Sequence, residues 1–149
     1  MIKRRTSFCR KSSSLFFLIL LVVICAGCEA DHKALIEKTL DAREDAMNEK
    51  NLDAYLALIS KDYQYSPDSK MTIKLYMEEN LLCWDIVHIK TYNRLIYIEG
   101  GYASVNQDYQ MSLTAKGETK LFSGAEHFLM KKEGIFSPEW KFVKGLGGG

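Results

Sequence analysis

Any chemistry in this chain would come from a small set of carboxylate, imidazole and phenol groups: Asp62, Tyr63, Tyr65, His88, Tyr92, Asp108, Tyr109, Glu126 and His127. A carboxylate or imidazole held in a small apolar pocket can take a proton as general base, with a tyrosine hydroxyl beside it. Glu126 is the most informative of them. It lies in Leu121 to Lys131, a run that reads as a strand. Side chains along a strand alternate between faces, so Glu126 shares its face with Phe122, Phe128 and Met130. A carboxylate on so apolar a face is expected to have a raised pKa. His127 must point the other way, so the two cannot enter one pocket from a regular strand. The other candidates have plainer readings. Asp62 and Tyr63 end a helix, where Asp62 shapes the chain reversal. Asp108 alternates with Ser104, Asn106 and Gln110 and faces solvent. His88 shares a face with Ile86, Lys90 and Tyr92 and reads as half-exposed. His88 with Glu126 or Asp108 makes no convincing metal set, and no cofactor is implied.

The elements that position these groups change period midway. Ala34 to Lys50 places Leu35, Ile36, Leu40, Ala46 and Met47 on one helical face, with Asp31 as its expected N-cap. Asn51 caps a second helix, in which Leu52, Tyr55, Leu56 and Ile59 recur at i, i+3, i+4 and i+7. Pro67 makes Ser66 to Ser69 a loop. A third helix is predicted over Met71 to Leu82, with Ile73, Met77, Leu81 and Trp84 inward. Cys83 then reads as a small residue of a buried helix end. Beyond it the chain turns β-branched and aromatic. Ile86 to Tyr92 and Asn93 to Ile98 are strand runs, and Glu99-Gly100-Gly101 a turn. Ala103, Val105, Tyr109, Met111 and Leu113 then face one way, and Ser104, Asn106, Asp108, Gln110 and Ser112 the other. Ala115 to Glu118 is a turn, Leu121 to Lys131 a strand, Lys132 to Pro138 a loop, and Trp140 to Val143 the last strand. Helices followed by hairpin-linked strands specify an α+β fold with an antiparallel sheet packed on the helices.

Glu49 to Tyr63, the strand series, and Ala125 to Gly134 leading into Trp140 to Lys144 resemble the nuclear transport factor 2-like superfamily, including its SnoaL-like members. The resemblance covers nearly all of Ala30 to Gly145. It implies a strongly curved sheet wrapped around the helices as a cone with an apolar pocket. Tyr55, Tyr65, Trp84, Tyr109, Phe128 and Trp140 are the pocket candidates. It also implies a possible homodimer through the outer sheet face. Two functions are compatible with it. One is plain binding of a small apolar ligand or a protein partner, the reading favoured here. The other is an isomerase, dehydratase or cyclase with Glu126 as general base and His127 or Tyr63 in support.

The first residues speak to location. Lys3, Arg4, Arg5, Arg10 and Lys11 precede an apolar run from Leu15, which ends in Ile24-Cys25-Ala26-Gly27-Cys28. A positive segment, a short apolar segment and small residues before a cleavage point describe an export signal. The run is about thirteen residues, short of the ~20 that span a bilayer as a helix. Ile-Cys-Ala-Gly-Cys resembles the lipobox of bacterial lipoproteins, with Cys25 where Leu is usual. The resemblance implies cleavage between Gly27 and Cys28 and lipid on Cys28, with an uncleaved anchor or simple secretion as alternatives. Residues 1–27 are then signal peptide, 28–33 a lipidated tether, 34–145 the domain and 146–149 a flexible tail. The protein is expected in the cell envelope. In a diderm it would face the periplasm from the outer membrane, since Glu29 rather than Asp follows the cysteine; in a monoderm it would sit on the outer face of the cell membrane. Charge follows the same division. The chain has 20 Lys plus Arg and 19 Asp plus Glu. Five of those bases lie in the leader, so the mature part has 15 against 19, or −4. A mildly acidic domain without a basic stripe is a poor nucleic-acid binder.

Overall fold

The computed structural model describes residues 31–63 and 70–146. Gly27, Cys28 and Tyr65 lie outside them, as do the leader and the Ser66 to Ser69 loop. Among the described residues no helix is long and apolar enough to cross a membrane. Helix α1 covers 31–48, α2 spans Leu52–Ala57 and α3 spans Lys70–Leu81. Strands β1 (Ile86–Glu99), β2 (Tyr102–Ala115), β3 (Glu118–Glu133) and β4 (Glu139–Lys144) follow. They form one antiparallel sheet in chain order, β1-β2-β3-β4. The expected α+β architecture is therefore present.

The core lies between the helices and one sheet face. Ile36, Leu40 and Met47 of α1, Tyr55 and Ile59 at α2, and Ile73, Met77 and Leu81 of α3 are buried. They pack on Val87, Ile89, Val105, Phe128, Met130 and Phe142 from the sheet. Phe128 and Phe142 meet edge to face, 5.2 Å between centroids at 76°, the arrangement that the ring quadrupole favours.

Several local expectations are corrected. Asp31 is already helical, so it does not cap α1. The two strand runs after Asp85 are one strand, interrupted by a register shift between Tyr92 and Leu95, where Asn93 takes a positive φ of 54°. A bulge of this kind bends a strand without ending it. β3 runs longer than expected at both ends, to Glu118 and Glu133. Cys83 is exposed, because α3 ends at Leu81 and turns it outward. Asn51 does cap α2, accepting from the Ala54 amide at 3.1 Å.

Strand β1 is a sheet edge, and an edge leaves backbone groups unpaired. Helix α1 satisfies them with its own side chains. Asn48 accepts from the Ile89 amide (2.7 Å) and donates to its carbonyl (3.1 Å). Glu44 accepts from the Thr91 amide and hydroxyl, both at 2.8 Å. At the bulge, Arg94 reaches back to Glu37 and Asp41. Burial opposes the charge on Arg94, yet its pKa is raised, because Asp41 and Glu37 outweigh that cost. Replacing Asn48 by Leu would leave a half-buried amide and carbonyl unpaired, at about 1–3 kcal/mol. Urea denaturation should show that loss, while the exposed Asp45→Ala should stay within about 0.5 kcal/mol of wild type.

Candidate functional site

Two polar side chains interrupt the apolar faces that build the core, and they converge on Glu126. Arg43 follows Leu40 by three residues and precedes Met47 by four, so it lies on the inner stripe of α1, only 5% exposed. Gln107 alternates with Val105 and Tyr109 on the inner face of β2 and is 3% exposed. Arg43 donates to Glu126 through Nη2 to Oε2 at 2.8 Å and Nη1 to Oε1 at 3.1 Å. Gln107 Nε2 donates to Oε1 at 3.0 Å. Planar guanidinium and carboxylate forks fit one another in this bidentate way. The guanidinium carbon also sits 4.7 Å from the Phe128 ring centroid and 6.0 Å from that of Tyr55. A cation over a ring face is attracted by its quadrupole. Burial works against the charge of Arg43, but Tyr55 and Glu126 outweigh it and hold its pKa above the ordinary arginine value.

This trio supplies a partner for Glu126 on its apolar face. The face is apolar as expected, with Phe128 and Met130 buried. The carboxylate does not sit unopposed on it, however, since an arginine from α1 meets it directly. Both its oxygens already accept hydrogen bonds.

A cavity of about 440 Å³ adjoins the trio. Met47, Met77, Ile89 and Met111 supply its apolar wall, and Tyr55, Tyr76 and Tyr109 its phenols. Ala125, Glu126 and His127 border it where β3 runs on without β4, whose pairing stops at Leu129 with Lys144. Gly145 and Leu146 close that side. Gly145 has φ +100°, and a methyl there would collide with the His127 carbonyl oxygen. The Tyr109 ring lies over Gly124, where an added Cβ would come within 3.1 Å of it.

The other candidates separate. Tyr55 and Tyr109 line the cavity, and Phe128 lies beneath Arg43. Trp140 is buried in β4, its carbonyl accepting from Thr39 of α1. Trp84 is half-buried, with Lys120 over its ring at 5.7 Å. Tyr63 is buried with its hydroxyl 2.6 Å from the Leu146 amide, as acceptor. Asp62 pairs with Lys131 at 2.9 Å on the surface. That hydrogen bond and charge lower the Asp62 pKa and raise that of Lys131. The His127 ring approaches the Ser104 hydroxyl at 3.0 Å, on the sheet face away from Glu126. Asp108 accepts from Asn93 at 2.8 Å, and His88 is exposed on that same outer face. Sequence reasoning missed Arg43 and Gln107. The available signal was a polar residue in register with a buried stripe, at helical spacing for one and strand spacing for the other.

No family model and no curated protein matches this chain. Solved structures do. A candidate scytalone dehydratase from Novosphingobium aromaticivorans superposes with TM-score 0.69 at 14% identity, over 80% of this chain and 85% of that one. A nuclear transport factor 2-like superfamily protein from Salmonella enterica gives 0.63 at 14%, over 77% and 88%. A candidate dehydratase of the same fold family from Streptomyces avermitilis gives 0.64 at 9%, over 75% and 92%. The domain thus has the nuclear transport factor 2-like fold, and at these identities the likeness is one of fold.

Tyr63→Phe should remove the acceptor of the buried Leu146 amide and destabilise the protein by about 1–3 kcal/mol. Hydrogen exchange at Leu146 should rise in that variant, with exchange in β1 and β2 unchanged.

Proposed function

We propose that this chain is a lipid-anchored module of the bacterial cell envelope whose domain binds a small, largely apolar molecule without transforming it. The observation that carries the reading is the state of Glu126. A general base must have a lone pair free to take a proton. Here three donors from Arg43 and Gln107 take three of the carboxylate's about four acceptor sites, and the one left on Oε2 lies beside a buried guanidinium. The competing reading, an isomerase or dehydratase with Glu126 as base, draws support from relatives of this fold that are described as dehydratases. It would have to use the one acceptor site left on Oε2, next to the Arg43 guanidinium. His127 offers no substitute, since its ring meets Ser104 instead.

The cavity suits binding. Its volume of about 440 Å³ lies in the ~300–1,000 Å³ range of small-molecule sites. Three methionines give an adaptable apolar wall. Arg43 borders the space with Nε lacking a hydrogen-bond partner among the described residues. Anchoring rests on the Ile24 to Cys28 motif. Two or three acyl chains hold a protein firmly where one does not.

N-Phenyl-1-naphthylamine titrated into the mature protein should brighten on binding, and Met111→Trp, which fills the cavity, should weaken that binding at least tenfold. Equal affinity in the variant would place the probe elsewhere and overturn the reading. Intact mass of protein from membranes should show a start at Cys28 with added acyl mass, lost in Cys28→Ala.

A further inference from the structure

The side chains that tie α1 to β1 also fix which end of the domain leads back toward Cys28. Asn48 meets Ile89, Glu44 meets Thr91, and Asp41 and Glu37 meet Arg94. Toward its N-terminus, α1 therefore travels toward the Glu99 end of β1. The Gly100-Gly101 turn lies at that end. So does the loop from Gly134 to Pro138 that joins β3 to β4, because the Lys132 amide donates to the Gly101 carbonyl at 2.9 Å. That loop is a built turn. Gly134 takes φ +81°, and a Cβ there would come within 2.6 Å of the Ser137 carbonyl oxygen. The turn projects Ile135 and Phe136 outward, 90% and 99% exposed, above every other large apolar side chain among the described residues. In the strands next to the loop Lys131 is paired with Asp62 and Lys141 with Glu139.

Single exposed apolar residues are ordinary. Two adjacent ones at a loop tip, on the end toward which the N-terminal part of α1 runs, are a membrane-docking arrangement. Cys28 precedes Lys33 by five residues, which reach at most about 16–18 Å when fully extended. A lipid on Cys28 would therefore hold this end of the domain near the bilayer.

We propose that the Gly134–Pro138 loop docks into the bilayer surface on which the protein is anchored. Ile135 and Phe136 enter the boundary between headgroups and acyl chains, the depth at which apolar faces of surface-bound proteins settle. Docking would give the domain a fixed orientation on the membrane. The proposal rests on the lipid-anchor reading above.

The test uses the mature protein isolated from membranes, its acylation state read by intact mass, and reconstituted into vesicles containing phosphatidylglycerol. In a Cys83→Ser background, Phe136→Cys carries an NBD dye; Leu121→Cys, near the opposite end of β3, carries it as control. At position 136 the emission should shift to the blue and be quenched at least twofold by lipids bearing a shallow acyl-chain nitroxide, with no quenching at position 121. Acylated protein whose dye at 136 stays in a water-like setting would overturn the docking proposal and leave the anchor reading intact. Self-quenching between dyes at 136, without quenching by lipid, would overturn it in favour of a second copy of the chain. Quenching at 136 in protein that carries no acyl group would sustain the docking and overturn the anchor reading. Absence of both would overturn both.

Discussion

The buried fork between Arg43 and Glu126 is the interaction on which the rest of the domain depends. A guanidinium cannot be taken out of water alone, and neither can a carboxylate. Each is tolerated in the core because the other is present in bidentate register, with the Gln107 amide and the Phe128 ring completing the surroundings. The fork joins α1 to β3, and Gln107 adds β2, so three elements distant in sequence are fixed at one point. Because that point borders the cavity, the same contacts that set helix against sheet also shape the binding space. They also decide its chemistry. On the proposed reading, a carboxylate serving as the counter-ion of a buried arginine is a structural group, and the space beside it binds without chemistry.

The two edges of the sheet are treated differently, and function follows the difference. On the β1 edge, Asn48 and Glu44 of α1 take up the free amides of Ile89 and Thr91. On the other side β4 pairs with β3 only as far as Leu129. The remainder of β3 borders the cavity instead. Gly145 can lie against His127 because it has no side chain to clash with the strand. The chain is then pinned by the Tyr63 hydroxyl at Leu146. A short last strand thus leaves this part of β3 to the cavity, with Gly145 and Leu146 closing that side.

Much of this fold was legible in the residues. The apolar stripe of α1, the Asn51 cap, the inward Ile73, Met77 and Leu81, and the alternation of β2 all follow from periodicity, which reports which face is buried. Tyr55 and Tyr109 were legible as lining for the same reason. The site itself was harder to read. Arg43 and Gln107 carry polarity into buried positions, and that conflicts with the pattern until the partner is known. Glu126 was recognised as a carboxylate on an apolar face. Its meaning changed because the arginine opposite lies 83 residues earlier, a separation that no local rule spans. The Asn93 bulge was likewise hidden, since Tyr92-Asn93 reads as a break between strands when the strand in fact continues past it.

A double-mutant cycle on the fork tests the account most directly, with Arg43→Met, Glu126→Leu and the double variant compared by urea denaturation. Removing one partner of a buried ion pair costs about 3–5 kcal/mol, whereas replacing both with apolar residues of similar volume is often near neutral. Each single variant should therefore be strongly destabilised, and the double variant should recover most of the loss. Additive losses, or a Glu126→Leu variant as stable as wild type, would contradict a structural role. They would return Glu126 to the position of an independent carboxylate, available for proton transfer.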